Sequence, residues 1–272
     1  MSAKDLLKRE LAPVLPDAFA AVDAEAARVL KLNLAGRKIV DFRGPEGWQL
    51  AAVNTGRLEL LPPGPDPDLN IGIRRAQPLV EVRVPIRLPI MELDSVARGA
   101  SNPDLAPVVR AAEKVAHAED AAIFNGFAPA GIVGIIAASP HRPHPLPADV
   151  TQLPRTILAA RETLRQAGVS GPYALVLDAE RYAQVLAAAE DGYPLAKRIT
   201  QQVLDGPLER ASAIEGGVLL SLRGGDYELT VGQDLSIGYA HHDKETVELY
   251  LTESFTFRVL EPAAAVPLRR AA

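Results

Sequence analysis

Apolar residues recur along this chain with two periods, one helical and one of two residues, and the places where the period changes divide it. After Pro16, the residues Phe19, Val22, Ala26, Val29 and Leu30 fall on one helical face, while Asp23, Glu25, Arg28 and Lys31 face away. Asp17 is placed to cap this helix, and Gly36 is a plausible stop. From Phe42 to Pro78 no period sustains a packed element. Glycines and prolines, among them Gly44, Gly47, Gly56 and Pro62–Pro67, punctuate short β-like pieces at Leu58–Leu61 and Ile71–Arg74. A two-stranded arm reaching away from the body satisfies both kinds of signal. Next, Val80, Val82, Val84, Ile86 and Leu88 alternate with polar residues and prolines, the pattern of a half-buried strand at a sheet edge or bulge.

Asn102-Pro103-Asp104 then opens the strongest helix. Its stripe is Leu105, Val108, Ala112, Val115, Ala116, Ala122 and Ile123, and Gly126 ends it. The second half alternates in type. Helices are expected near Leu153–Ala167, Ala179–Ala189 and after Tyr193-Pro194, with a strand at Tyr173–Leu177. Five strand-like runs follow: Val218–Leu222, Tyr227–Val231, Leu235–Tyr239, Val247–Leu251 and Phe255–Leu260. Gly224-Gly225-Asp226 reads as a hairpin turn between the first two. The Ala/Pro-rich stretch from Pro262 reads as a tail. The class is α+β.

Composition narrows this. A chain of 272 residues with 48% hydrophobic and 23% charged residues suits one large domain or two small ones. Cysteine is absent, which excludes a disulfide framework, thiolate zinc and a cysteine nucleophile. A net charge of −5 gives no general attraction to nucleic acid or anionic lipid. The longest apolar stretch, Phe127–Ala138, is too short to span a bilayer. A soluble, cytoplasmic protein with no nucleic-acid or membrane partner is expected.

Catalytic chemistry is hard to find. The sequence has no G-x-S-x-G elbow, H-E-x-x-H helix, phosphate-binding loop or dinucleotide fingerprint. His141 and His144 frame prolines in what reads as a solvated turn, His241-His242 precede another turn, and His117 falls on the polar side of its helix, so no metal site is expected. Glu119-Asp120 are adjacent on a helix and diverge by about 100°, which does not make a catalytic dyad. Glu190-Asp191-Gly192 makes an acidic bend between helices. What remains is surface that a monomer would struggle to satisfy: an arm, an apolar-faced terminal helix and an edge strand. Such features suit a protein that assembles, and no catalytic residue is assigned.

Specific strings then carry a family resemblance. Gly36–Asp41, Gly44–Trp48, Glu92-Leu-Asp94 with Arg98-Gly99, Gly171–Tyr173, Gly192–Leu195, Arg223–Asp226, Gly232–Tyr239 and Thr252–Phe257 together resemble the encapsulins, or linocin-type proteins, in family order along essentially the whole chain. The resemblance implies the fold of tailed-phage major capsid proteins, named for Hong Kong phage ninety-seven. It divides the chain into an N-terminal helix and start of the peripheral domain (1–41), an E-loop arm (42–78), a peripheral domain with the spine helix (79–136), an axial domain (137–231) and closing peripheral strands (232–272). It also implies a homo-oligomeric icosahedral nanocompartment that encloses a cargo enzyme, such as a peroxidase or ferritin-like protein, through the cargo's C-terminal targeting peptide.

By the same resemblance, the cargo groove would have Arg37, Ile39 and Asp41 on one side and Leu235, Ile237 and Tyr239 on the other. Period-two spacing fits Ile39 and Asp41 to one face of a strand, and Leu235, Ile237 and Tyr239 to one face of another. Glu190, Asp191, Gly192 and Tyr193 would ring a five-fold pore, where repeated carboxylates favour cations. Some members of the family bind flavin through a Trp just before the Glu-Leu-Asp motif. Here Met91 stands there, so no cofactor is expected. Two alternatives stay open at this point: a prophage capsid protein that packages DNA, and a hydrolytic enzyme. No nucleophile with an adjacent base supports the second.

Overall fold

A computed structural model describes residues 6–62, 66, 68–190 and 192–270. Helix α1 is Pro16–Asn33, and proline rather than Asp17 sets its start: Pro16 occupies the first turn, its φ already helical, with Asp17 just inside near the positive end of the helix dipole. The expected face is the buried one, Phe19, Val22, Ala26, Val29 and Leu30 together with Ala18. After strand β1, Asp41–Arg43, the chain runs out along β2, Ala52–Leu60, and back along β3, Gly72–Pro78. These two pair antiparallel from Ala52 opposite Pro78 to Leu60 opposite Gly72, and among the described residues neither has another strand partner. The expected arm is therefore present, with Leu58, Leu60, Leu61, Leu69, Ile71 and Ile73 exposed.

Strand β4, Val80–Pro89, leads through the short helix α2, Ile90–Ala97, into the spine α3, Ala106–Phe124. At 19 residues the spine runs roughly 28 Å. Then follow β5 (His144–Leu146), α4 (Leu153–Gln166), β6 (Tyr173–Leu177) and α5 (Ala179–Ala187). A helical segment Leu195–Leu204 winds as an α-helix to Arg198 and as a π-helix beyond. The remaining strands are β7 (Leu208–Arg210), β8 (Gly217–Ser221), β9 (Tyr227–Val231), β10 (Ser236–His242), β11 (Thr246–Val259) and β12 (Ala265–Arg270).

Two five-stranded sheets result. In the first, β11 is central: β4 lies along one side of it, β10 and β9 along the other, and β1 adds parallel to β9. Among the described residues β4 thus has one strand partner, and it tolerates Pro85 and Pro89 in its ladder. In the second sheet the order is β7-β6-β8-β12-β5. Three sequence expectations change here. Gly224-Gly225-Asp226 is not a hairpin, because β8 and β9 belong to different sheets and the glycines carry the chain across between them. Strand β9, expected in the axial domain, joins the first sheet. The supposed tail is a strand of the second sheet, with Ala264, Ala265, Val266 and Leu268 fully buried.

The runs 247–251 and 255–260 are likewise one strand. Their apparent break is polar, yet Thr252, Glu253, Ser254 and Thr256 are all buried, each at 9% exposure or less. Thr252 donates to the Val82 carbonyl at 2.9 Å, and Ser254 accepts from the Gln233 N–H at 2.8 Å. Hydrogen bonds, not solvent, satisfy Thr252 and Ser254, while Thr256 Oγ1 and one oxygen of Glu253 are buried without a partner among the described residues.

Two apolar cores lie end to end along the spine. One gathers the buried face of α1, Val108–Ala116 of α3, and Ile86, Leu88, Ile237, Leu249 and Leu251. The other gathers Ala122–Phe124 of α3 with the second sheet and Phe255 and Phe257. Between them α3 carries Glu119 and Asp120, both fully buried.

Candidate groove and pore loop

The seam between the cores is polar because the chain crosses it there. Leaving α1, Leu34 belongs to one core while Ala35 and Ile39 belong to the other. The turn at 35–36 points its N–H groups into the spine, where the Asp120 carboxylate accepts from Ala35 at 3.0 Å and Gly36 at 2.8 Å. A Cβ at position 36 would stand 2.4 Å from Ile123 Cδ1, so any side chain there would have to push that terminal methyl aside. One residue on, Arg37 fans out to three carboxylates. Its Nε donates to Glu119 at 2.9 Å, one terminal nitrogen to Asp234 at 2.9 Å, and the other to Glu253.

The electrostatics follow from burial. Burial alone would lower the Arg37 pKa, but the Glu119 hydrogen bond and the charges of Glu119, Glu253 and Asp234 outweigh it and leave it raised. Burial raises Glu253 well above the ordinary carboxylate range, helped by Glu119 and opposed by Arg37. Burial also pushes Asp120 up to about 7, against the two N–H groups that favour its ionised form.

Arg37 borders an open cleft of about 430 Å³, walled by Ala26, Ala27 and Leu30 of α1, by Asp234, Leu235, Ser236 and Ile237, and by Leu251. Leu7, Arg9 and Asp23 close its far end. The structure thus brings together Arg37, Leu235 and Ile237. It places the other three expected residues apart from this cleft. Residues 36–38 form a 3₁₀ turn and the strand begins only at Asp41, so Ile39 and Asp41 do not share a strand face; Ile39 is buried in the second core. Asp41 accepts from the Gly225 N–H at 2.6 Å, in a separate cavity of about 230 Å³ beside Tyr227. Tyr239 lies further along β10, its hydroxyl 2.6 Å from His242 Nδ1.

Sequence reasoning missed the carboxylates that hold Arg37. A signal existed: Glu119 sits four residues after Val115 and four before Ile123, inside the apolar stripe rather than beside it. Asp234 and Glu253 carry no such signal, since they meet Arg37 only through tertiary folding.

The acidic bend is a tight hairpin in which Glu190 pairs with Tyr193. Gly192 holds φ at +78°, a conformation glycine adopts without strain. Glu190 forms an ion pair with Arg198, and the Tyr193 hydroxyl donates to Gln201 Oε1 at 3.2 Å. Asp191, the fourth expected pore residue, lies outside the described residues.

His141 and His144 are held rather than solvated: their Nε2 atoms lie 2.9 Å from the Ala263 carbonyl and 3.0 Å from Thr163 Oγ1. Among the described residues no group of three or more His, Cys, Asp or Glu side chains could hold a metal ion. No helix among them is long and apolar enough to cross a membrane.

Known proteins resemble the chain over nearly all its length. Residues 4–256 match the family described as encapsulating protein for peroxidase. The Type 1 encapsulin shell protein of Rhodospirillum rubrum is 46% identical over 269 residues, covering 97% of this chain and 96% of that protein. The Type 1 encapsulin shell protein of Mycobacterium tuberculosis is 43% identical over 262 residues, covering 96% and 98%. Among solved structures, the virus-like particle from Pyrococcus furiosus aligns over 91% of this chain and 98% of its own, with a TM-score of 0.65 at 15% identity. A Mycobacterium phage Bobi structure aligns over 88% and 91%, with a TM-score of 0.59 at 14% identity. At such low identities these last two show the fold alone, that of the phage capsid type.

Proposed function

This chain belongs to the encapsulin shell proteins, a family of structural proteins rather than enzymes, and from that premise we propose that its copies close into an icosahedral cytoplasmic container. Its inner wall holds a cargo protein, a peroxidase or a ferritin-like protein, by that protein's C-terminal peptide. The membership disfavours both alternatives, the DNA-packaging capsid and the hydrolase.

One observation carries the peptide site: Arg37 and Leu235–Ile237, nearly two hundred residues apart in sequence, border the same cleft. Leu235, Ile237, Leu30 and Leu251 offer apolar walls to side chains of an extended peptide. Arg37 is less free to bind than its sequence position suggests, with three carboxylates on its guanidinium and a side chain 17% exposed. Its role is to fix Asp234 and the start of β10, so that the walls stand ready. Of the six residues expected to bind, Leu235 and Ile237 do so directly and Arg37 positions them, while Ile39, Asp41 and Tyr239 stand apart from the cleft.

Glu190 and Tyr193 line the five-fold opening, with cation preference set by the ring as a whole. Met91, 73% exposed on α2, offers no flat aromatic face, and the shell carries no flavin.

The test begins with the chain expressed alone, by size-exclusion with light scattering and negative-stain microscopy, where a uniform hollow particle is expected. A fluorescent reporter ending in the C-terminal targeting peptide of a cargo peroxidase should then co-purify with the particle. Leu235→Asp leaves the particle intact and removes the reporter. Unchanged loading in that variant would refute the peptide site.

A further inference from the structure

One end of the cleft is built by a piece of this chain that comes before α1. Ahead of α1 the segment Leu6–Arg9 lies against it, with Leu7 forming part of its lining. The Leu7 carbonyl accepts from the Tyr239 N–H at 2.8 Å, and the Leu6 carbonyl accepts from the Tyr250 hydroxyl at 3.3 Å. Arg9 grips Asp23 with both terminal nitrogens, at 2.7 and 3.3 Å, and stacks 4.3 Å above the Phe19 ring.

The bond to Tyr239 has a geometric meaning. Strand β10 pairs with β11 on one side, so a main-chain bond from Tyr239 to Leu7 lies on its other edge. In an antiparallel ladder residues two apart direct their main-chain groups the same way, so Ile237 faces that edge too. A leucine in the lining of the cleft, a main-chain bond to a strand edge and an arginine on an acidic side chain together make the contacts of a docked peptide, here a turn that passes into a 3₁₀ helix at Arg9–Leu11. Between leucine and arginine, Lys8 sits at φ +53°, a left-handed conformation that is unfavourable for lysine.

We propose that Leu6–Arg9 is a tethered stand-in for the cargo peptide, which must displace it to bind. The stand-in defines the ligand's chemistry: a short turn with a leucine, then a residue at ease in the left-handed region such as glycine or asparagine, then an arginine. The inference rests on the reading of the cleft as the cargo site. A segment tethered so close acts at an effective concentration on the order of millimolar. It therefore suppresses weak ligands and passes only those that bind better, which makes it a selectivity filter.

The test uses a fluorescent reporter ending in the sequence of residues 5–12, co-expressed with three shells: the full chain, the chain lacking residues 2–11, and the full chain with Leu7→Ala and Arg9→Ala. Reporter per subunit is read in purified particles. The full chain should take up little, and the other two about tenfold more or better; if the deletion fails to assemble, the double substitution decides alone. Equal uptake by the full chain and the double variant, or none by any shell, overturns the stand-in. The peroxidase-peptide reporter separates the two readings. If Leu235→Asp abolishes loading of both reporters, both readings stand. If it abolishes only the residue 5–12 reporter, the cargo reading falls and the stand-in falls with it.

Discussion

Arg37 sets its guanidinium 2.8 Å from the Glu119 carboxylate, and this pair joins the two halves of the molecule where one apolar core gives way to the other. Arg37 comes from the turn after α1, Glu119 from the middle of the spine, and Glu253 reaches the same guanidinium from the central strand. One cation thus ties the terminal helix, the spine and the first sheet. Buried ion clusters of this kind add little over well-packed apolar residues, but removing one member is costly.

Arg37→Ala is therefore expected to destabilise the subunit by about 3–5 kcal/mol, since it strands Glu119 and Glu253, both fully buried. Urea unfolding of dissociated subunits measures it. Adding Glu253→Gln should recover part of the loss, because one of the stranded charges is gone. A double variant no more stable than Arg37→Ala would show that lost packing, not uncompensated charge, dominates.

Asp120 gives a pH dependence of definite sign. Its folded pKa is raised from 3.8 to about 7 by burial, so between those values the folded chain holds a proton that the unfolded chain has released. Its contribution to stability is fully present below the lower value and is lost as pH rises through the upper one. Glu253 shifts in the same direction. Measured against Asp120→Asn at fixed subunit concentration, wild-type thermal stability should fall as pH goes from 5 to 8. A difference that stays flat over that range would contradict the assignment.

The terminal helix, the arm, the edge strand and the spine were legible because each has a period or punctuation of its own. Phe19, Val22 and Ala26 needed only one another to define a buried face. Leu235 and Ile237 could be placed on a strand, and the family strings tied them to Arg37. Harder were residues whose role exists only across the seam. Glu253 reads as an interruption of a strand because local pattern does not show an arginine more than two hundred residues away. The strand at 265–270 was hidden differently: Ala265 and Pro267 carry weak β preference, and burial between β8 and β5 rather than propensity makes it a strand. Asp41 parts from Ile39 for a local reason, since a 3₁₀ turn at 36–38 breaks the alternation that linked them.

At the proposed pore, Glu190 is half neutralised by its own neighbour Arg198, both partly exposed. Arg198→Ala should uncover the carboxylate in every copy around the opening and speed entry of cobalt ions to a quenchable dye trapped inside, by up to about tenfold at low salt. Glu190→Gln should slow it. Entry rates that ignore both substitutions would remove Glu190 from the path.

The arm offers the sharpest test of assembly. Among the described residues its two strands pair only with each other, and Leu60 and Ile73 on them are 66% and 50% exposed. An isolated two-stranded hairpin with so many bare leucines and isoleucines is marginal in water, so its stable setting is the surface of a neighbouring subunit. Burying each such side chain there contributes about 1.5–3 kcal/mol, and closed symmetry repeats the contact in every copy. Leu60→Glu combined with Ile73→Lys should leave the circular dichroism of the subunit unchanged, because neither residue belongs to a core, while shifting the light-scattering mass from a large particle to single subunits or small oligomers. Particles of normal mass and normal resistance to dissociation would mean that the arm folds back on its own subunit instead of bridging to the next.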